Sequence, residues 1–161
     1  MNVTDRTNVI ALYTRLLDAW NRRSADDFAW VFTYDGVTIG FDGTEMNNRA
    51  AIRSALTKIF QDHPTASYVA KIRDARSLAR GIVLLRAVVG MVPPGGKEIK
   101  ADVNAVQSVL FVTENTDWKI SLLHNTPAAY HGRPDAVERL TNELTEVLNT
   151  GELVLDPGAR T

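Results

Sequence analysis

The apolar positions of this chain change period partway along, dividing it into a helical front and a strand-rich back. In residues 5–21, Val9, Leu12, Tyr13, Leu16, Leu17 and Trp20 fall on one helical stripe, with Arg15, Asp18 and Asn21 off it. A second stripe carries Ala51, Ile52, Ala55, Leu56, Ile59 and Phe60, starting near Asn47-Asn48 and stopping before Pro64. Between the two lies WNRRSADDFAWVFTYDGVTIGFDG, residues 20–43. There Ser24 reads as a helix N-cap with Asp27 three positions on, and Phe28, Val31 and Phe32 repeat at helical spacing. Asp35-Gly36 breaks that helix, residues 37–41 read as a short strand, and Asp42-Gly43 punctuates again.

From residue 67 the pattern shifts. Segments 67–78, 82–92, 101–114 and 117–125 are rich in Val, Ile, Leu and Tyr. Only Ala79-Arg80-Gly81, Pro93-Pro94-Gly95-Gly96 and Asn115-Thr116-Asp117 interrupt them. Connections this short suit antiparallel neighbours, because a parallel pair needs a crossover of about a dozen residues or more. Gly132-Arg133-Pro134 then opens a last helix, with Val137, Leu140, Leu144 and Val147 on its apolar stripe. Beyond Gly151 the periodicity lapses, so residues 1–150 read as a single domain and 151–161 as a tail free to move. Helices segregated from strands predict an α+β fold. A long twisted antiparallel sheet would curl around the early helices, and the hollow at its open end is where function would sit.

Composition narrows the partners. With 161 residues, 45% of them hydrophobic, the chain can bury one core and is short for two. Eighteen basic against nineteen acidic side chains leave no electrostatic footprint for nucleic acid or an anionic membrane. Charges interrupt the first residues where a signal peptide needs an apolar run, so the expected location is the cytoplasm. There is no cysteine, and His63, His124 and His131 lack the helical i, i+4 spacing of zinc ligands, so no metal is expected. No P-loop or GxGxxG occurs either, and no cofactor is expected.

His124 is the sharpest chemical candidate. By strict alternation Trp118, Ile120, Leu122 and His124 share one strand face, which would carry an imidazole towards the mouth of the hollow. Alternatively it is a structural histidine bonded to the adjacent strand. Asn125 must then point the opposite way, so only one of the two can face the hollow. Asn104 and Gln107 offer amides that would orient a ligand carbonyl or satisfy the backbone. Trp20, Phe28, Trp30, Phe32, Tyr34 and Phe41 gather at the corner where helices meet sheet, and Tyr34, Tyr68 and Tyr130 could each present a phenol. Arg86 interrupts an apolar strand, so it either pairs inwardly with a carboxylate such as Asp102 or faces outwards. Lys71 with Arg73, and Asp74 with Arg76, share faces and read as solvated. Asp35 and Asp42 read as turn residues.

The runs AWNRRSADDFAWVFTYDG, NNRAAIRSAL and WKISLLHNTPAAYHGRP resemble the nuclear transport factor 2-like superfamily, in its SnoaL-like and ketosteroid-isomerase-like branch, over residues 9–148. LLRAVVGMVPPG, VNAVQSVL and HNTPAAYHGRP are similar to the SgcJ/EcaC-type subgroup of actinobacterial secondary metabolism, including enediyne clusters. The resemblance implies a cone-shaped α+β roll, a homodimer through the sheet, and an apolar pocket for a hydrophobic small molecule such as a polyketide-type polyene. Ketosteroid isomerases carry a tyrosine in the first helix and a carboxylate base in the first strand; Leu16 and Gly40 stand there here. Asn48 replaces the glycine common before the third helix, a residue that tolerates a left-handed backbone. Two functions follow. One is cofactor-independent isomerisation, cyclisation or dehydration, with His124 as acid–base, Tyr130, Tyr68 or Asn104 steadying an enolate, and Trp20, Phe32, Tyr34, Phe41 and Gln107 around the ligand. The other is a non-catalytic pocket or a synthase-docking accessory.

Overall fold

A computed structural model describes residues 1–160. Three helices lie in the front half of the chain: α1 (Val3–Asn21), α2 (Ala25–Trp30) and, after two strands, α3 (Arg49–Asp62). The strands are β1 (Phe32–Ile39), β2 (Glu45–Asn47), β3 (Ser67–Ala79), β4 (Ile82–Val92), β5 (Ala105–Glu114), β6 (Asp117–Pro127) and β7 (Val154–Leu155), and α4 (Pro134–Thr150) precedes the last. They form one seven-stranded sheet in the order β2-β1-β6-β5-β4-β3-β7. The expected meander is present as the antiparallel run β3-β4-β5-β6. Two parallel pairings, β1 with β6 and β3 with β7, make the sheet mixed. Among the described residues no helix is long and apolar enough to cross a membrane.

The helix boundaries follow from local chemistry. Asn2, Ser24 and Asn48 cap α1, α2 and α3, each side chain accepting a backbone N–H from three residues on. Asn48 does so at φ +89 and ψ 157, an extended positive-φ conformation that glycine favours and that lies outside the left-handed helical region expected for asparagine. The second helix is shorter than its spacing predicts. It stops at Trp30, and Phe32 already belongs to β1. Asp35-Gly36 lies inside that strand, at an irregular register between Phe32 and Val37. Gly36 is needed there for close approach: a Cβ would sit 3.0 Å from the Phe32 ring and 3.1 Å from the Ile120 carbonyl oxygen. Residues 101–114 are likewise not one strand. Ala101–Val103 form a 3-10 turn, and Asn104 precedes β5.

Two cores result, one on each face of the sheet. On the concave face Val83, Leu85, Ala87 and Val89 of β4 and Val109 and Phe111 of β5 meet Val9, Tyr13, Leu16 and Leu17 of α1. On the outer face Val69, Val88 and Ile99 meet Leu140, Leu144 and Val147 of α4. The fourth helix therefore covers ground that early helices alone would leave bare. Lys71 and Arg73, expected on a solvated face, pin it: Glu143 accepts from Lys71 at 3.1 Å and from Arg73 at 2.7 and 2.6 Å. Arg86 faces outwards and pairs with Asp74, not Asp102, at 3.1 and 2.5 Å.

The segment after Gly151, expected as a tail, is tied down at three points. Leu153 and Val154 pack on the concave core, β7 pairs with Ala70 and Lys71, and Arg6 donates to both Asp156 oxygens at 2.5 and 2.8 Å. The Arg6 hydrogen bonds hold the Asp156 carboxyl below the ordinary aspartate range. Stabilisation from a lowered carboxylate is complete above its unfolded pKa, about 4, and fades as pH falls through the lower folded value. Asp156→Asn should therefore cost about 1 kcal/mol at pH 7. In urea unfolding followed over pH, that difference from the native chain should shrink to nothing in strong acid.

Candidate functional site

Beneath α1–α3 the concave face is incompletely filled, leaving a cavity of about 320 Å³. Leu17 and Trp20 of α1, Phe28 of α2, and Leu56 and Ile59 of α3 form one wall. Thr38 of β1, Leu123 and Asn125 of β6, Gln107 of β5, Met91 of β4 and Tyr68 of β3 form the other. Gly40, Phe41, Met46 and Val103 complete the lining, and Phe41, 41% exposed, sits where it opens. A few placed polar groups in an otherwise apolar hollow is the usual make-up of a small-molecule site.

The end of α1 sets the aromatic wall. Trp20 lies edge-on to Phe60 at 5.3 Å and tilted against Tyr68 and Phe28 at 5.5 and 6.1 Å, and its indole N–H donates to the Ala66 carbonyl at 2.8 Å. Asn21 clamps the start of β3. Its Oδ1 accepts from the Tyr68 N–H at 2.8 Å and its Nδ2 donates to the Tyr68 carbonyl at 3.1 Å. The ring of Tyr68 is thereby held in the cavity wall, where burial pushes its phenol up to about 12.

A directed hydrogen-bond chain crosses the opposite wall. The Tyr13 hydroxyl donates to Gln107 Oε1 at 2.5 Å, Gln107 Nε2 donates to Asn125 Oδ1 at 2.8 Å, and Asn125 Nδ2 donates to the Ile39 carbonyl at 3.0 Å. A carbonyl can only accept, so its end fixes both amide orientations back to Tyr13. Gln107 is 0% exposed and so depends on these partners. Burial raises the Tyr13 pKa, keeping it a neutral donor.

Several expected site residues lie elsewhere. His124 is exposed on the outer face, and Asn125 takes the inward place. The reason is a bulge: β5 and β6 pair Leu110 with Leu122 but Phe111 with Ile120, so Ser121 is extra and inverts the alternation. Trp118 and Ile120 point in before it, Leu123 and Asn125 after it. Tyr130 lies across the sheet in the groove between α4 and β3, beside Arg133. Asn104 reaches α4, donating to Thr141 Oγ1 at 2.9 Å, while its buried Oδ1 has no partner among the described residues. Tyr34 is 76% exposed, and Phe32 is wholly buried in the core against Phe28, 5.7 Å away, behind the cavity wall. Trp20, Phe41, Tyr68 and Gln107 do line the cavity. Among the described residues no cluster of three or more His, Asp or Glu could hold a metal ion.

Thr38, Met46, Met91 and Leu123 join the lining without having been singled out in sequence, and Leu56 and Ile59 join it from a stripe read only as helix packing. Gln107 opposite Asn125 in register is the signal that could have found the polar wall, two amides facing each other inside an apolar row. Tyr13→Phe should leave Gln107 Oε1 buried without a donor and lower stability by roughly 1–3 kcal/mol in denaturant unfolding, with the fold retained by circular dichroism.

The fold recurs in solved structures. A domain of unknown function with a cystatin-like fold from Nostoc punctiforme superposes with a TM-score of 0.76 at 20% identity, over 93% of this chain and 98% of that one. An uncharacterised cystatin-like protein from Caulobacter vibrioides gives 0.64 at 25% identity, over 83% and 94%. A ketosteroid isomerase-like protein from Erwinia carotovora atroseptica gives 0.59 at 14% identity, over 76% and 95%. No curated protein matches the chain. Residues 9–130, which run from α1 through β6 and supply every residue lining the cavity, match the SnoaL-like domain, and the chain belongs to that family.

Proposed function

We propose that the chain is a binding protein of the SgcJ/EcaC type that holds a compact, flat, apolar molecule, such as a conjugated polyketide-type intermediate of secondary metabolism. The wording of residues 84–95, 103–110 and 124–134 supports the subgroup. The cavity carries the ligand reading. Among the described residues its one ionisable lining group is the Tyr68 phenol, whose pKa near 12 is far from that of a useful acid or base at neutral pH. Gly40 stands where ketosteroid isomerases place their carboxylate, and Leu16, where they place a tyrosine, is buried core. Proton-transfer catalysis through His124 would need a histidine that now faces away. Calorimetric titration with β-ionone, a small conjugated polyene ketone, tests this. The native chain and His124→Ala should bind it alike and return it unchanged, whereas Leu56→Trp, which fills the cavity, should lose binding at least tenfold. Conversion that depends on His124, or binding indifferent to Leu56→Trp, would overturn it.

The same reading includes a homodimer through the sheet. Val37, Leu122, Leu110 and Leu84 lie in register across β1, β6, β5 and β4, half-buried and apart from both cores. The row beside them carries Arg86, Ser108 and His124, with Asp74 paired to Arg86. An apolar centre with a polar rim of both charge signs suits a two-fold contact between copies. In sedimentation the native chain should run as a dimer and Leu110→Glu as a folded monomer; a native monomer at micromolar concentration would remove the dimer.

A further inference from the structure

We propose that the β1–β6–β5 wall of the cavity is a recognition site for the acceptor oxygen of a neutral ligand, a ketone, aldehyde or ester carbonyl, read by the amides of Asn125 and Gln107 with the Thr38 hydroxyl beside them. This rests on the cavity being a binding site and narrows what it takes.

Direction in the hydrogen-bond chain decides the chemistry. Because the Ile39 carbonyl accepts from Asn125, and Asn125 Oδ1 accepts from Gln107, both amide oxygens face a donor already, the last being Tyr13. Each amide nitrogen spends one N–H in the chain and retains a second. A spare carbonyl lone pair is tolerated in a dry site, whereas an N–H without an acceptor is not. The unmet demand is therefore for an acceptor. Thr38 adds to it: it is 6% exposed, lines the cavity, and its hydroxyl makes no hydrogen bond among the described residues. It lies opposite Leu123 in register, two residues from Asn125 on the neighbouring strand and on the same face. Farther along the same sheet wall, on β3, the Tyr68 hydroxyl is likewise without a partner among the described residues.

The charge of the ligand follows by the same logic. Among the described residues no Asp, Glu, Lys, Arg or His lines the cavity. A carboxylate entering it would lose its hydration with no cation to replace it. A hydrocarbon would fill the apolar wall but leave the donors unmet. A neutral molecule with one carbonyl satisfies both walls.

Three naphthalenes of closely similar shape separate these cases by calorimetry: 2-acetylnaphthalene, its hydrocarbon isostere 2-isopropenylnaphthalene, and 2-naphthoate. The native chain should bind the ketone about five- to tenfold more tightly than the hydrocarbon, the worth of one neutral hydrogen bond, and the anion more weakly than either. The ketone preference should fall to near unity in Asn125→Leu and fall in part in Thr38→Val, which changes one hydroxyl for one methyl and reads the ratio even if the first variant does not fold. Equal affinities for ketone and hydrocarbon in the native chain, or a preference that survives both substitutions, would overturn the donor site while leaving the cavity reading in place. Failure of all three to bind would overturn the two together.

Discussion

A β-strand has a period of two, so one residue inserted into a ladder turns every later side chain to the other face. Ser121 is that residue in β6. Before it, Ile120 closes the concave core; after it, Leu123 and Asn125 face the cavity while Leu122 and His124 face out. The cavity lining and the outer face of the sheet both depend on this single offset. It gives the cavity an amide in place of an imidazole, and it gives the outer face an unbroken aliphatic row in register from β1 to β4.

The cavity itself comes from a mismatch of shape between two rigid layers. Three helices of unequal length lie on a curved sheet, and side chains on each side stop short of meeting between Trp20 and Leu123. Aromatic packing around Trp20 and the Asn21 clamp on Tyr68 stiffen one side. The Tyr13–Gln107–Asn125–Ile39 chain stiffens the other. Preorganised walls of this kind bind with little loss of side-chain freedom.

Periodicity reveals which layer a segment belongs to, because burial imposes it over many residues. The stripes of α1 and α3 and the meander were legible for that reason, whereas the Pro134 start of α4 was legible from proline's missing N–H and the positive φ of Asn48 from the family resemblance. Single-residue events were not. Gly36 reads as a helix breaker yet serves a close contact inside β1, and Ser121 leaves no mark in composition. Asn104 and Tyr130 read as candidates for the hollow because strand alternation cannot see that α4 has taken the opposite face. The inward placement of Trp20, Tyr68 and Gln107 on the cavity was legible because bulk or polarity at an inward position is itself a signal.

The short β7 also guards a border of the sheet. Where it lies along Ala70 and Lys71 it occupies backbone groups that would otherwise form a free margin beside Val69 and Ile72. Farther along β3, Arg73, Asp74 and Arg76 put charge on the strand and deter a foreign strand from adding there. The Arg6–Asp156 pair thus joins the first helix to the last strand like a clasp. Opening it would bare the β3 backbone groups at Ala70 and Lys71, a margin to which another strand could add.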